Sequence, residues 1–495
     1  MRGKNERHHR FLILCYNAKN KEVAMQTIYH ADIEELKIGS SSPANITTGR
    51  KIMKNKKLHL VSLGCTKNLV DSEVMLGRLK AYELTDDSTQ ADVIIVNTCG
   101  FIDAAKEESI NTVLTLHEER KEGSLLVMSG CLSERYKEEL QVQMPEIDIF
   151  TGVGDYEKID QLIASRQSTF SPEVYLANEN SNRIITGSNY HAYIKIAEGC
   201  NQQCSFCAIP SFKGKLHSRT LASIEKEVRN LVAEGFYDFS FISQDSSSYG
   251  RDMGLSDGLV ALIETVEAIK GVKSARILYL YPSTTTLKLI DAIADSEVFQ
   301  TYYDMPIQHI DDGVLKIMKR GFGEQKTIEL LEYMKSKPSA FIRTSVIAGH
   351  PGESEEAFEK LCAFMEDFGF DRFNTFAYSN EETTPAYTME QLPQEIIEQR
   401  TQILGEIARR SALNSLEKMV GKTISVVIDG ESEEHEYLLS ARPLAWAVEI
   451  DGEILINDTS DLPVVFGKTY QARITELAGE QLLATLLNEE VGSRK

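Results

Sequence analysis

Three times between residues 58 and 131 a short apolar run ends in a cysteine. The endings are Val61-Ser62-Leu63-Gly64-Cys65, Val96-Asn97-Thr98-Cys99 and Met128-Ser129-Gly130-Cys131. Short runs rich in Val, Ile and Leu (58–63, 92–96 and 125–128) read as buried parallel strands. Stretches rich in Ala, Glu, Lys and Leu, such as 103–120, separate them and read as helices. Strand, helix, strand is the grammar of an open α/β sheet, whose parallel strands present their carboxyl ends to one edge. One cysteine at each strand end therefore predicts three thiols converging on that edge. Core packing explains a single cysteine well, because Cys behaves as a small hydrophobe. It explains three repeats of one structural position poorly.

A second alternating region spans 189–418. Candidate strands at 192–197, 238–243, 275–280, 301–306, 342–347 and 372–378 alternate with amphipathic helices such as 221–234 and 353–368. Six such units predict a partial parallel (βα)6 barrel with its chemistry at the carboxyl ends of the strands. Just past the first strand comes Cys200-Asn201-Gln202-Gln203-Cys204-Ser205-Phe206-Cys207, a CxxxCxxC. Three thiolates on one loop can hold three irons of a [4Fe–4S] cluster and leave the fourth iron open. An open iron can chelate an amino group and a carboxylate. The alternative is zinc, which closes with four ligands; His191 or His217 would supply the fourth. At the other strand ends stand Ser243-Gln244-Asp245, Gln308-His309 and Ala348-Gly349-His350-Pro351-Gly352-Glu353, with Arg343 early in the fifth strand. Gln244, Arg343, Gly349 and Gly352 are the expected cofactor contacts, the glycines because they let backbone approach a nucleoside before a helix begins. No catalytic residue is singled out. Cys362 reads as helix core and Cys15 falls in the N-terminal extension.

The remaining chain is different in kind. A length of 495 residues exceeds one ordinary core and predicts about three domains. Residues 1–56 are read as an extension, disordered or lying upstream of a physiological start at Met53. Residues 1–52 hold nine Lys+Arg against five Asp+Glu and show no sustained periodicity. The first folded domain is expected over 57–188 and the barrel over 189–418. Over 420–490 short Val- and Ile-rich strands at 423–428, 437–441, 445–450, 453–457 and 468–476 predict a small β-barrel. No apolar run approaches the roughly 20 residues of a membrane helix, and no signal peptide is evident, so a cytoplasmic protein is expected. In that compartment the eight cysteines suit metal or catalysis better than disulfides. The net charge of −21 argues against nonspecific nucleic-acid binding and favours a basic protein partner.

The motifs carry a family resemblance. Ser62-Leu63-Gly64-Cys65-Thr66-Lys67-Asn68-Leu69-Val70-Asp71-Ser72-Glu73 resembles the opening signature of the radical-SAM methylthiotransferases. So do the stretch from Asn97 to Ser109, Gly130-Cys131-Leu132 and the stretch from Lys195 to Gly214. The resemblance spans 57–490 and implies a methylthiotransferase domain, a radical-SAM barrel and a TRAM barrel. It implies two [4Fe–4S] clusters, one on Cys65, Cys99 and Cys131 and one on Cys200, Cys204 and Cys207, with S-adenosylmethionine as cofactor. Within the family, Ile242-Ser243-Gln244-Asp245, Met305-Pro306-Ile307-Gln308-His309 and Glu449-Ile450-Asp451-Gly452-Glu453 resemble members acting on the twelfth protein of the small ribosomal subunit. Departures from the family pattern are Thr383 for a glycine, His350 for a phenylalanine, and a segment 443–448 without the expected Asp and Pro. The implied reaction begins when a reduced cluster cleaves S-adenosylmethionine to methionine and a 5′-deoxyadenosyl radical. The radical takes hydrogen from an aspartate β-carbon, and methylated sulfur from the second cluster completes 3-methylthioaspartate. Sulfur and the electron come from donors the motifs do not specify.

The alternative substrate is a modified adenosine in tRNA. Residues 420–495 hold six Lys+Arg against fourteen Asp+Glu, a balance that suits a basic ribosomal protein better than tRNA. A non-catalytic zinc scaffold would leave the second thiol triad without a purpose.

Overall fold

A computed structural model describes residues 10–16, 23–29, 56–433 and 435–489. The chain divides into two units, Met1–Asn189 and Tyr190–Lys495. In the first, β1 (Arg10–Tyr16) and β2 (Val23–Tyr29) pair antiparallel. This pairing falls within the N-terminal extension, and Cys15 lies in β1. Both runs are apolar and rich in β-formers, with the polar sequence Asn17-Ala18-Lys19-Asn20-Lys21-Glu22 between them. The other residues before Lys56 lie outside the described set.

A five-stranded parallel sheet follows, in the order β4 (Glu83–Leu84), β3 (Lys57–Ser62), β5 (Val93–Thr98), β6 (Leu125–Gly130) and β7 (Ile149–Phe150). The three strands predicted from the cysteine endings occupy its centre. Every residue of β5 and β6 is buried, as expected for a sheet covered on both faces. Val61, Ile94, Val96, Leu126 and Met128 share one core with Val113 and Leu116 of the helix Asp103–Glu119. Burial of each such side chain contributes about 1.5–3 kcal/mol. The short edge strands β4 and β7 were not legible in the pattern.

The second unit opens with the six strands expected of the partial barrel. β8 (His191–Lys195) leads to a two-residue β9 (Ala197–Glu198), which pairs antiparallel with β10 (His217–Ser218). β11 (Asp238–Ile242) lies between β8 and β12 (Ser274–Ile277), all parallel. β13 (Tyr302–Asp304), β14 (Phe341–Ala348) and β15 (Arg372–Ala377) form the other parallel half. The bridge Ala275↔Phe299 and the bond from Leu280 N to Asp304 O (2.8 Å) join the halves.

The C-terminal segment is a closed barrel of β16 (Thr423–Glu431), β17 (Leu439–Arg442), β18 (Ile454–Asp458), β20 (Gln481–Glu489) and β19 (Thr469–Ala478). Five strands were expected, but not these five. Residues 445–450 form turns, and Gln481–Glu489 closes the barrel instead. Local contacts override the strand pattern there. Arg442 donates to Trp446 O (2.8 Å), Ala447 N donates to Asp451 Oδ2 (2.8 Å), and Glu449 takes φ +61°. Arg372, the first residue of β15, lies over Trp446 at 5.1 Å.

The amino-terminal ends of the parallel barrel strands are tied to this small barrel by buried charge. Asp238 binds Arg276 through one oxygen (2.8 Å) and Arg442 through the other (2.9 Å). Burial alone would raise the Asp238 carboxyl, but the two guanidinium groups hold it down at about 2. His191, fully buried beside them, faces Ser240 Oγ at 2.9 Å, and burial holds its imidazole down at about 3. A histidine with a folded pKa below its unfolded value stabilises the fold above about pH 6.5. That contribution is lost as pH falls, because the unfolded chain takes a proton the fold refuses. Between pH 6.5 and 5 this costs about 1.5 kcal/mol, so the urea midpoint of His191→Gln should fall correspondingly less over that interval than that of the parent chain.

Candidate functional site

The central strands of the first unit end side by side. Ser62 pairs with Asn97, and Thr98 pairs with Gly130, so the residues following β3, β5 and β6 emerge at one edge. Cys65 caps the helix Thr66–Arg78, Cys99 follows β5 directly, and Cys131 opens the helix Cys131–Arg135. Asn68 fastens the three loops together. Its amide donates to Leu63 O and Thr98 O, both at 3.1 Å, while its carbonyl faces Cys131 Sγ at 3.5 Å. Asn97 in turn donates to Asn68 O and Ser72 Oγ, both at 2.9 Å. Ser109 Oγ bridges the backbone N and O of Cys99 at 3.1 Å each.

Glycine is required where the loops touch. Gly64 has φ +89°, and a Cβ there would stand 2.6 Å from Cys99 Cβ and 2.9 Å from its Sγ. The Cys99 thiol is pushed well above its ordinary range, first by burial and then by the neighbouring Cys131 and Cys65. A buried thiol that resists ionisation beside other thiols becomes a good ligand once a positively charged centre compensates the charge.

In the second unit the CxxxCxxC loop leaves the carboxyl end of the β8–β9 segment. Gly199, at φ +77°, lies so close to Lys215 O that a Cβ would stand 2.2 Å away, and Cys200 N donates to Gly214 O at 3.1 Å. Neighbouring strand-end loops hold the motif: Ser205 N donates to Met318 O (3.1 Å), and Ala386 N donates to Ser205 O (2.8 Å). His350 faces Ser205 Oγ at 3.3 Å and packs edge-on against Phe206 and Tyr378. Burial pushes the Cys200 and Cys207 thiols up to about 12, with the other cysteines of the loop adding to the rise and Arg320 opposing it. Arg320 donates to Cys204 Sγ at 3.3 Å, and the Tyr281 hydroxyl lies 3.5 Å from the same sulfur.

The expected cofactor contacts fare differently. Gln244 sits beside the loop, donating to Glu198, while its own carbonyl oxygen is buried without a partner. Glu198 is held by Lys195 at 2.7 Å, and Lys213 lies 3.7 Å away. Asp245 accepts from Gln202 Nε2 of the cysteine loop at 2.8 Å. Gly349 and Gly352 follow β14 with φ +81° and +87°, and Glu353 Oε1 accepts from Gly349 N at 3.1 Å. His309 Nε2 stands 3.3 Å from the other Glu353 oxygen, and Arg400 lies 2.6 Å from the first.

Arg343, the remaining expected contact, sits toward the other end of its strand. It pairs with Asp304 (3.0 Å) and lies 3.7 Å from Asp451, five residues before the end of its strand. At about 3.3 Å per residue that is about 16 Å from the strand end, so it serves the contact with the small barrel. Sequence reasoning passed over Asn68, Glu198, Tyr281 and Arg320. Glu198 had a signal in its place two residues before Cys200; Arg320, in Lys319-Arg320-Gly321, reads as an ordinary surface pair.

Three sulfur donors are the set that a [4Fe–4S] cluster with one open iron requires, whereas zinc closes with four ligands. Tetrahedral zinc with 2.3 Å bonds draws its sulfurs to within about 3.8 Å of one another. Among the described residues no three His, Cys, Asp or Glu side chains surround one ion position. His191, offered as a fourth ligand, is engaged with Ser240 at the opposite strand end, and His217 is exposed.

Comparison with known proteins agrees with the geometry. Residues 57–152 match the uncharacterized protein family UPF0004, 194–365 the radical SAM superfamily and 420–487 the TRAM domain. A six-stranded partial barrel with this loop at its carboxyl edge is a radical-SAM enzyme, a class that uses a [4Fe–4S] cluster and S-adenosylmethionine. A relative from Sulfurovum sp. is 82% identical over 434 residues, 88% of this chain and 99% of its own length. It is named ribosomal protein uS12 methylthiotransferase RimO, as is one from Aliarcobacter butzleri at 64% identity over 87% of this chain and 98% of its own. A Campylobacter jejuni relative of the same name is 57% identical over 88% of this chain and 99% of its own. The chain belongs to the RimO family of methylthiotransferases.

Gly64→Ala adds a methyl where Cys99 already sits and strains a positive φ. It should cost about 1–3 kcal/mol and lower iron bound by the first unit. Iron and sulfide analysis is expected to show a loss of up to half the total, against all S-adenosylmethionine cleavage lost when Cys200, Cys204 and Cys207 become Ala.

Proposed function

We propose that this chain methylthiolates the β-carbon of an aspartate in the basic ribosomal protein uS12, in the cytoplasm. The observation that supports this most directly is the pair of thiol triads, each at the carboxyl edge of parallel strands, in a chain 82% identical to a protein named for that activity. Cys65, Cys99 and Cys131 would hold one [4Fe–4S] cluster and Cys200, Cys204 and Cys207 the other. When bound, the second cluster supplies the electron that cleaves S-adenosylmethionine, and the first supplies the sulfur. Gln244 offers a buried carbonyl oxygen next to the cysteine loop, while Gly349 and Gly352 shape the turn after β14, where a Cβ would stand 2.6 Å from Ile397 and 2.8 Å from Ile317. Glu353, engaged with Gly349 N, His309 and Arg400, holds that glycine turn in place. Polar groups fixed in this way position reactants for radical chemistry.

The acidic tail supports uS12 over tRNA. Fourteen acidic against six basic residues over 420–495 attract a basic protein and repel phosphate backbone. Product formation should accordingly weaken as salt rises and screens exposed charge.

Because the two triads stand in different units, they are expected to separate functionally. The Cys65→Ala/Cys99→Ala/Cys131→Ala variant should cleave S-adenosylmethionine reductively yet form no methylthio product. Mass spectrometry of uS12 and of tRNA from cells lacking the chain should show the modification vanish from uS12 alone. Loss from tRNA instead would overturn the substrate.

A further inference from the structure

The three cysteines of the barrel loop are not equivalent. Cys200 Sγ faces a backbone amide, that of Gln202, at 3.4 Å. Cys204 Sγ faces a guanidinium group and a phenol, Arg320 Nη1 at 3.3 Å and Tyr281 Oη at 3.5 Å. The two side chains come from different strand-end loops and brace each other. Tyr281 follows β12, and Arg320 follows the helix Asp312–Ile317 beyond β13. The Arg320 guanidinium stacks over the Tyr281 ring at 4.1 Å, its other arm donates to Pro306 O, and Tyr281 Oη lies 3.3 Å from Lys319 O. Arg320 is 4% and Tyr281 7% exposed, so a permanent charge is held in a dry site against one sulfur.

We propose that Arg320, aligned by Tyr281, sets the reduction potential of the radical-generating cluster through its hydrogen bond to the Cys204 sulfur. The inference rests on the reading that Cys200, Cys204 and Cys207 hold that cluster. Reduction adds one electron and no proton to the cluster, so the reduced form carries one more negative charge. A cationic donor on a ligating sulfur draws off electron density and stabilises that form, because hydrogen bonds to the sulfurs and local charge are what set such potentials. Arginine suits the task, since it stays charged when buried and its planar fork binds sulfur and Pro306 O together.

The test is a potentiometric titration, read by electron paramagnetic resonance, of the full chain loaded with iron and sulfide. It is run in the Cys65→Ala/Cys99→Ala/Cys131→Ala background so that one cluster is read. Arg320→Gln is expected to lower the reduced-to-oxidised ratio at a fixed potential at least tenfold, a shift of about 59 mV to more negative values for one electron. Arg320→Lys should recover part of it by restoring charge, and Tyr281→Phe should shift the same way by less. A purely structural role would change iron content or melting temperature and leave the midpoint alone. Full iron content with unchanged midpoints in Arg320→Gln and Tyr281→Phe overturns the proposal. If Arg320→Gln fails to hold iron, Tyr281→Phe decides alone, a negative shift supporting the proposal and an unchanged midpoint overturning it. Absence of iron from the background chain itself would overturn the cluster reading, and the proposal with it.

Discussion

Parallel strands carry their carboxyl ends to one edge, and both candidate sites depend on that geometry. Cys65, Cys99 and Cys131 are 34 and 32 residues apart in sequence, yet the adjacent, in-register strands β3, β5 and β6 bring their loops together. Asn68 then locks the loops by bonding to the carbonyls of two of them and facing the thiol of the third. In the second unit the motif is local, but its setting is not. Ser205 is held by backbone bonds from loops that follow the fourth and sixth barrel strands. An antiparallel sheet would send neighbouring strand ends to opposite edges and scatter these groups.

The opposite end of the radical-SAM strands is closed by a different interaction. Asp238, Arg276 and Arg442 form a fully buried charged trio, and Arg343 and Arg372 add contacts to the segment carrying Trp446 and Asp451. Taking these charges out of water costs several kcal/mol each, offset only when every partner is present. Removing Asp238 would leave Arg276 and Arg442 facing each other with only Asp429, 3.5 Å from Arg442 Nε, to offset their charge. The trio therefore specifies where the small barrel sits, and the carboxyl edge stays available to cofactor and substrate.

Arg343 shows how much the position along a strand matters. It starts the fifth barrel strand and was expected to contact cofactor, yet a strand has two ends and Arg343 lies nearer the amino-terminal one. Residues 445–450 are a related case. Their alternating Ala, Val and Ile read as a strand, but Arg442 bonds to the Trp446 carbonyl and Asp451 captures the Ala447 amide, which folds the segment into turns. Gln481–Glu489 takes the vacated place in the barrel.

The sequence by itself determined the alternation of strands and helices, the placing of one cysteine at each of three strand ends, and the CxxxCxxC loop. Each is encoded within a few residues, by apolar period, by glycine before cysteine, or by spacing along one loop. Tertiary structure alone decided that Asn68 ties three loops together, that Arg343 faces Asp304 and Asp451, and that Arg320 and Tyr281 meet at Cys204. These pairings join residues far apart in the chain, 116 in the case of Arg320 and Cys204. No local pattern marks them, because a buried guanidinium reads like any surface arginine until the fold supplies what surrounds it.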